Sequence, residues 1–126
     1  MTRYLLDTNI LIYYFNAEMD AKTKNIVSKI MRESFQLSVI SKMEFLGFPF
    51  NEQEKFNAER FLSNAEIKPL SDEIVSRVIV MRQTHRIKLP DAIIAATAIH
   101  YNACLVTRNL KDFEKLNNIS VLNPFD

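Results

Sequence analysis

Four acids stand where this chain has little room for charge. Asp7 interrupts the apolar run Tyr4 to Tyr14; Glu44 sits among Met43, Phe45, Leu46, Phe48 and Phe50; Asp91 opens the most apolar helical stretch; Asp112 follows the apolar segment Cys104 to Thr107. A buried carboxylate without a partner is costly, so each needs a cation, a hydrogen-bond donor or water. Carboxylates brought together raise one another's pKa unless divalent cations hold them ionised. All-oxygen ligands favour magnesium or manganese over zinc. A site of this kind does phosphoryl chemistry: the metal acidifies and orients a water and offsets charge on the phosphate, with no side-chain nucleophile required. The chain has a single glycine, Gly47, and therefore no glycine-rich turn to cradle a nucleotide. The matching substrate is a phosphodiester in a polymer strand.

Three of these acids also have purely structural explanations. Asp7, Thr8 and Asn9 are all good helix N-caps. Ser41 and Glu44 have capping-box spacing. Asp91 lies in a first helical turn, where the helix dipole stabilises an acid by about 0.3 to 1 kcal/mol. His85 and His100 have no metal-ligand spacing to each other or to Cys104, and read as a surface polar residue and a helix-end residue.

The elements that must position the acids follow from periodicity. Tyr4 to Leu6 reads as a buried strand, with a helix from Ile10, so Asp7 falls where strand gives way to helix. Ile26, Val27, Ile30 and Met31 mark an amphipathic helix over Asp20 to Ser34. Phe35 to Ile40 has strand composition; Ser41 then opens a short helix stopped by Pro49. Asn51 and Glu54 form a second capping box for a helix ending near Asn64, and Ala65 to Leu70 is a short strand or an extended link. Ser71 caps a helix over Asp72 to about His85; Pro90 fits the first position of a buried helix reaching Tyr101. Cys104 to Thr107 is a strand, Arg108 to Phe113 runs into a short helix, and Ile119 to Leu122 is a last strand. Asn16, Asn64 and Asn102 take helix-ending positions that glycine often fills. This order predicts an α/β fold, a three-layer α/β/α sandwich on a mostly parallel sheet of about five strands. The acids then share the edge where ligands of open α/β sheets bind.

At 126 residues the chain reads as one domain, 1–126, with a sizeable core. Its lone cysteine, Cys104, excludes an intramolecular disulfide and fits a reducing, cytoplasmic setting. No signal-peptide pattern and no membrane-length apolar run is present. With 16 basic and 15 acidic residues, bulk charge selects no partner. If metal neutralises a group of acids, the remaining surface is distinctly basic, which suits a polyanion.

Four segments together carry a resemblance: Leu-Leu-Asp7-Thr-Asn9, Ser41-Lys-Met-Glu44, Leu-Pro-Asp91-Ala-Ile-Ile-Ala-Ala and Leu-Val-Thr107-Arg-Asn109-Leu-Lys-Asp112-Phe. They resemble, in order and across essentially the whole chain, the PIN-domain nucleases, especially the VapC-type toxins of bacterial toxin-antitoxin pairs. The resemblance implies a magnesium- or manganese-dependent endoribonuclease in which Asp7, Glu44 and Asp91 bind metal and Asp112 is the more variable fourth acid. It implies that Asn109 and Thr107 ligate or orient and that Asn9 steadies the first acid. Where many relatives carry an aspartate this chain has Asn109, which puts a second metal site in question. It further implies an RNA substrate, dimerisation, and silencing by an antitoxin whose segment lies across the active-site groove. Arg82, Arg86, Lys88, Arg108 and Lys111 flank the acids and are candidate RNA contacts, with plain surface solvation as the alternative. Tyr13, Tyr14, Phe45, Phe48 and Phe50 either line an antitoxin or dimer surface or simply pack.

Two rival readings remain. A haloacid-dehalogenase-like phosphatase would use Asp7 as nucleophile but wants an acid two residues on, where this chain has Asn9. A non-catalytic module would keep the fold and only bind RNA or protein.

Overall fold

The computed structural model describes residues 2–125. Among them, five strands and seven helices follow one another as β1 (Tyr4–Leu6), α1 (Thr8–Phe15), α2 (Ala21–Glu33), β2 (Gln36–Ser38), α3 (Val39–Leu46), α4 (Glu52–Leu62), β3 (Glu66–Lys68), α5 (Asp72–Thr84), α6 (Leu89–His100), β4 (Cys104–Val106), α7 (Leu110–Phe113) and β5 (Ser120–Leu122). The sheet order is β3-β2-β1-β4-β5, and every pairing is parallel. The expected sandwich is therefore found, with a sheet that is wholly rather than mostly parallel.

Strand side chains alternate between faces, and this splits the core in two. Leu5 and Leu105 point into a cluster with Ile74, Val78 and Met81 of α5 and the alanine-rich flank of α6. Leu6, Leu37 and Val106 point the other way, into a cluster with Ile10, Leu11, Val27, Phe45 and Leu62 from α1 to α4. Ala92, Ala95, Ala96 and Ala98 are buried, and these small side chains let α6 lie close against the sheet and α5.

The chain builds β2 and β3 on one side of β1, then returns to place β4 on the other. β1 and β4 therefore flank the point where the strand order reverses, where a crevice opens beyond the carboxyl ends. Leu6 pairs with Val106, and the ladder runs on as Asp7 N–H donates to Val106 O over 2.9 Å and Thr107 N–H to Leu122 O over 2.9 Å. Asp7 and Thr107 consequently leave the sheet side by side.

Several local expectations are corrected. The strand expected over Phe35 to Ile40 ends at Ser38, whose hydroxyl accepts the Ile40 N–H and caps α3. Ser41 thus lies inside the helix, and the capping box expected with Glu44 does not form. The Asn51 and Glu54 box does form. Pro90 takes the second position of α6, which starts at Leu89. Asn102 adopts the left-handed conformation (φ 53°), but neither Asn16 nor Asn64 does; Ala17 (φ 56°) turns the chain after α1, and α4 is closed by Ser63 in a helical conformation. Gly47 closes α3 without a positive φ. A Cβ there would meet Met43 O at 2.6 Å, so close approach is what requires glycine.

Candidate active site

Asp7 is 6% exposed and caps α1 as expected, but capping occupies only one of its oxygens. Oδ1 accepts the Thr8 N–H over 2.7 Å; Oδ2 accepts the Thr107 hydroxyl over 2.8 Å. The Thr107 hydroxyl also accepts the Asn109 N–H over 3.0 Å, so β4 orients the first acid and the start of α7 through one side chain. Asn9 makes no bond to Asp7: its Oδ1 is buried without a partner among the described residues, and the steadying role falls to Thr107 and Thr8.

Glu44 has a different partner from the one its spacing suggested. The Thr8 hydroxyl donates to Glu44 Oε1 over 2.6 Å, and buried Ser41 Oγ lies 3.0 Å from the same hydroxyl. Thr8 and Ser41 thus hold α3 to the mouth of α1 at the acid itself. Sequence reading missed both residues as positioning groups; the polar Thr8 within an apolar run was the available signal.

The four acids sense one another. Burial raises the Asp7 pKa from 3.8 to about 6, against the opposing bonds from Thr107 and Thr8, and the charges of Asp91 and Glu44 push it the same way as burial. Asp91 is also raised, first by burial and then by Asp112 and Glu44, while Lys88 and Lys115 act in the opposite sense. Asp91 thus acts on Asp7 and is itself pushed by Asp112 and Glu44. Asp112 accepts the Asn109 amide. Among the described residues, no three of Asp, Glu, His and Cys stand close enough to share one ion.

The donor set nonetheless fits a hard divalent cation. It is all oxygen, none of its acids forms an ion pair with lysine or arginine among the described residues, and the Asn9 oxygen lacks a donor. The single ion pair among the described residues is Lys68 with Glu66, on the exposed end of β3. His85 bonds Thr84 and His100 packs on Tyr101, so neither joins the acids.

The two sides of the site differ. On the α5, α6 and α7 side, Arg82, Arg86, Lys88 and Lys115 share a cavity of about 330 Å³ with Asp91 and Asp112. On the α1 and α3 side, Glu44 opens onto a groove of about 300 Å³ lined by Ile12, Phe15, Phe45, Phe48 and Phe50. Phe45 is core, at 2% exposed, whereas Phe48 is 62% exposed. Tyr14 packs on Phe61 and bonds Ser28, and Tyr13 meets Phe125 edge-on. Arg108 lies over the Tyr13 and Phe125 rings, 4.9 and 4.4 Å from their centroids, so its charge is first used to hold the end of the chain to α1. Lys111 is exposed on α7.

Comparison with known proteins agrees with this fold. The PIN domain model matches residues 4–119. The chain is 31% identical to Ribonuclease VapC2 of Rickettsia felis, over 95% of this chain and 96% of that one. Among solved structures it is similar to VapBC2 of Rickettsia felis bound to a DNA fragment from its promoter (TM-score 0.82, 28% identity, 97% and 98% of the two chains). It is likewise similar to a toxin-antitoxin complex from Klebsiella pneumoniae (TM-score 0.79, 31% identity, 98% of each chain).

Proposed function

The chain belongs to the PIN domain family, and we propose that it is a magnesium- or manganese-dependent endoribonuclease, the toxin of a toxin-antitoxin pair. The observation that carries this reading is the electrostatic coupling of Asp91 with Asp7, Glu44 and Asp112 at one sheet edge, with none of the four acids in an ion pair among the described residues. The similarity to a ribonuclease supports RNA as substrate.

One or two at a time of Asp7, Glu44, Asp91 and Asp112 would hold the cation, with waters completing its shell and the Asn109 side chain beside Asp112. A divalent cation bound there supplies an acidified water and offsets the charge that builds on the phosphate. The chain's own groups do the positioning. Thr107 and Thr8 keep Asp7 fixed at the end of β1, and the Thr8 hydroxyl keeps the Glu44 carboxylate turned toward it. Burial of Asp7 keeps it weakly solvated, so that binding a cation is favoured over binding water.

The antitoxin is proposed to seat an apolar segment in the Ile12, Phe15, Phe48 and Phe50 groove, next to Glu44, in keeping with the complexes the fold resembles. Dimerisation belongs to the same reading, as do a single nuclease domain over 1–126 and a cytoplasmic location. Among the described residues no helix is long and apolar enough to cross a membrane.

Incubation of total RNA with the purified, partner-free chain tests the function. Fragments with internal ends that form with magnesium or manganese and not with EDTA are the expected result. Intact RNA in the presence of a protein shown to bind manganese, across transfer, ribosomal and messenger fractions, would contradict it.

A further inference from the structure

The cavity beside Asp91 and Asp112 has a wall of four basic side chains: Arg82 from α5, Arg86 and Lys88 from the α5–α6 loop, and Lys115 just past α7. None of the four forms an ion pair with a carboxylate among the described residues. Two of them fasten the loop instead. Arg82 Nε donates to Ile87 O over 3.3 Å, and Lys115 Nζ donates to the Arg86 carbonyl. The loop between α5 and α6 is thereby pinned to α5 on one side and to the segment past α7 on the other, with Arg86 and Lys88 in the cavity lining. The opposite flank of the acids is the apolar groove, which offers a polyanion nothing.

Like charges crowd here at a cost unless something answers them. Lys88 and Lys115 already favour ionised Asp91, yet that field is only an offset to burial and to the neighbouring acids. When a cation takes up the carboxylate charge, the basic wall is left uncompensated, and the species that matches it is a phosphate diester. The volume, about 330 Å³, lies at the lower end of the range for small-ligand sites and is larger than one water-bridged ion requires.

We infer that this cavity holds a backbone phosphate of single-stranded RNA adjacent to the one that is cut, gripped by Arg86 and Lys115 with Lys88 at the rim. The inference rests on the nuclease reading for what happens at the acids, though not for the binding itself. It gives the RNA strand one direction of approach, from the α5–α6 loop across Asp91. It also adds Lys115, which lies outside the acid-bearing segments, to the residues that act on substrate.

The test is anisotropy of a short labelled single-stranded RNA of mixed sequence with cleavage-resistant phosphorothioate linkages, in manganese so that the acids are occupied and again in EDTA. The parent is compared with Arg86→Gln/Lys115→Gln and with a charge-matched control, Lys22→Gln/Lys29→Gln on α2. All four substituted side chains are exposed, and matching thermal midpoints check the fold. The pocket variant is expected to lose about tenfold or more in affinity, with a salt dependence shallower by about 1.4 log units per log unit of salt, and the control to change neither. In cleavage assays the pocket variant then raises KM more than it lowers kcat. Equal losses in both variants, or none in either, would overturn the pocket. RNA binding that depends on Arg86 and Lys115 in a chain that never cleaves would instead retire the nuclease reading and leave the pocket standing.

Discussion

The Thr8 hydroxyl reaches from the first turn of α1 to Glu44 Oε1 on α3, over 2.6 Å. The same hydroxyl also faces the Ser41 oxygen, 3.0 Å away, which accepts from it, so its single proton is shared between the carboxylate and the serine. A residue next to Asp7 thus sets the position of a second acid that is distant in sequence. Thr8→Val keeps the shape and removes the bond. It is expected to weaken manganese binding and cleavage by roughly 10- to 100-fold, as loss of a partner that orients a ligand commonly does, while Thr8→Ser retains most of both. Titration calorimetry with manganese on the three proteins checks this; equal affinities would mean that the bond does not serve the site.

Burial of Asp7 ties stability to pH. Without metal, its folded pKa of about 6 lies above the ordinary 3.8, so the folded chain holds the proton more tightly than the unfolded chain does. The stabilisation from this group is complete below pH about 4 and is lost as pH rises through about 6. In EDTA at neutral pH, Asp7→Asn is therefore expected to be more stable than the parent, by about 1 to 3 kcal/mol. Manganese should raise the melting temperature of the parent and leave that of the variant nearly unchanged. Thermal melts from pH 4 to 8 show whether the sign is right.

Asn109 donates its amide to Asp112. Asn109→Asp replaces that attraction with a like-charge contact, in a corner where Asp91 already feels Asp112. Because Asn109 is exposed, the expected loss in EDTA is modest, about 1 kcal/mol or less. Manganese is expected to restore it. A melting temperature that falls equally with and without the metal would separate residue 109 from the metal site.

The aromatic cluster divides into packing and docking residues. Phe45 is buried against the rings of Phe15, Phe50 and Phe61, and Phe45→Ala should cost about 3 to 5 kcal/mol. Phe48 is mostly exposed on the groove, so Phe48→Ala should change stability by no more than about 0.5 kcal/mol while weakening co-purification with a co-expressed antitoxin. Denaturant melts and pull-downs on the same two variants distinguish the roles.

Much of the site is legible in the amino-acid sequence because the acids stand out against apolar surroundings: Asp7 and Asp91 interrupt segments whose other side chains must be buried. The strands β1 and β4 are readable for the same reason, whereas β3, Glu66–Lys68, carries two charges and reads only as a short strand or extended link. The boundary between β2 and α3 is not readable. Ser38-Val-Ile-Ser41 offers two capable serines around two β-branched residues, and only the end of the ladder at the Ser38–Lys68 pair decides that Ser38 is the cap. That choice of cap makes Glu44 the partner of Thr8 rather than a capping residue. Lys115 is invisible to sequence reading for another reason. It lies past the acid-bearing segments, and only the fold brings its amine to the Arg86 carbonyl. At the end of α1 the Glu18 N–H donates to Tyr13 O over 2.8 Å, and the register of that closing bond puts the left-handed residue at Ala17 rather than at Asn16.

The most direct measurement is cleavage of RNA by the parent and by Asp7→Asn, purified side by side and freed of any partner, with manganese and with EDTA. Cleavage is expected from the parent alone, and with manganese alone. Cleavage by Asp7→Asn equal to that of the parent, from a folded and contaminant-free preparation, would contradict the assignment of Asp7 to a metal-dependent nuclease site.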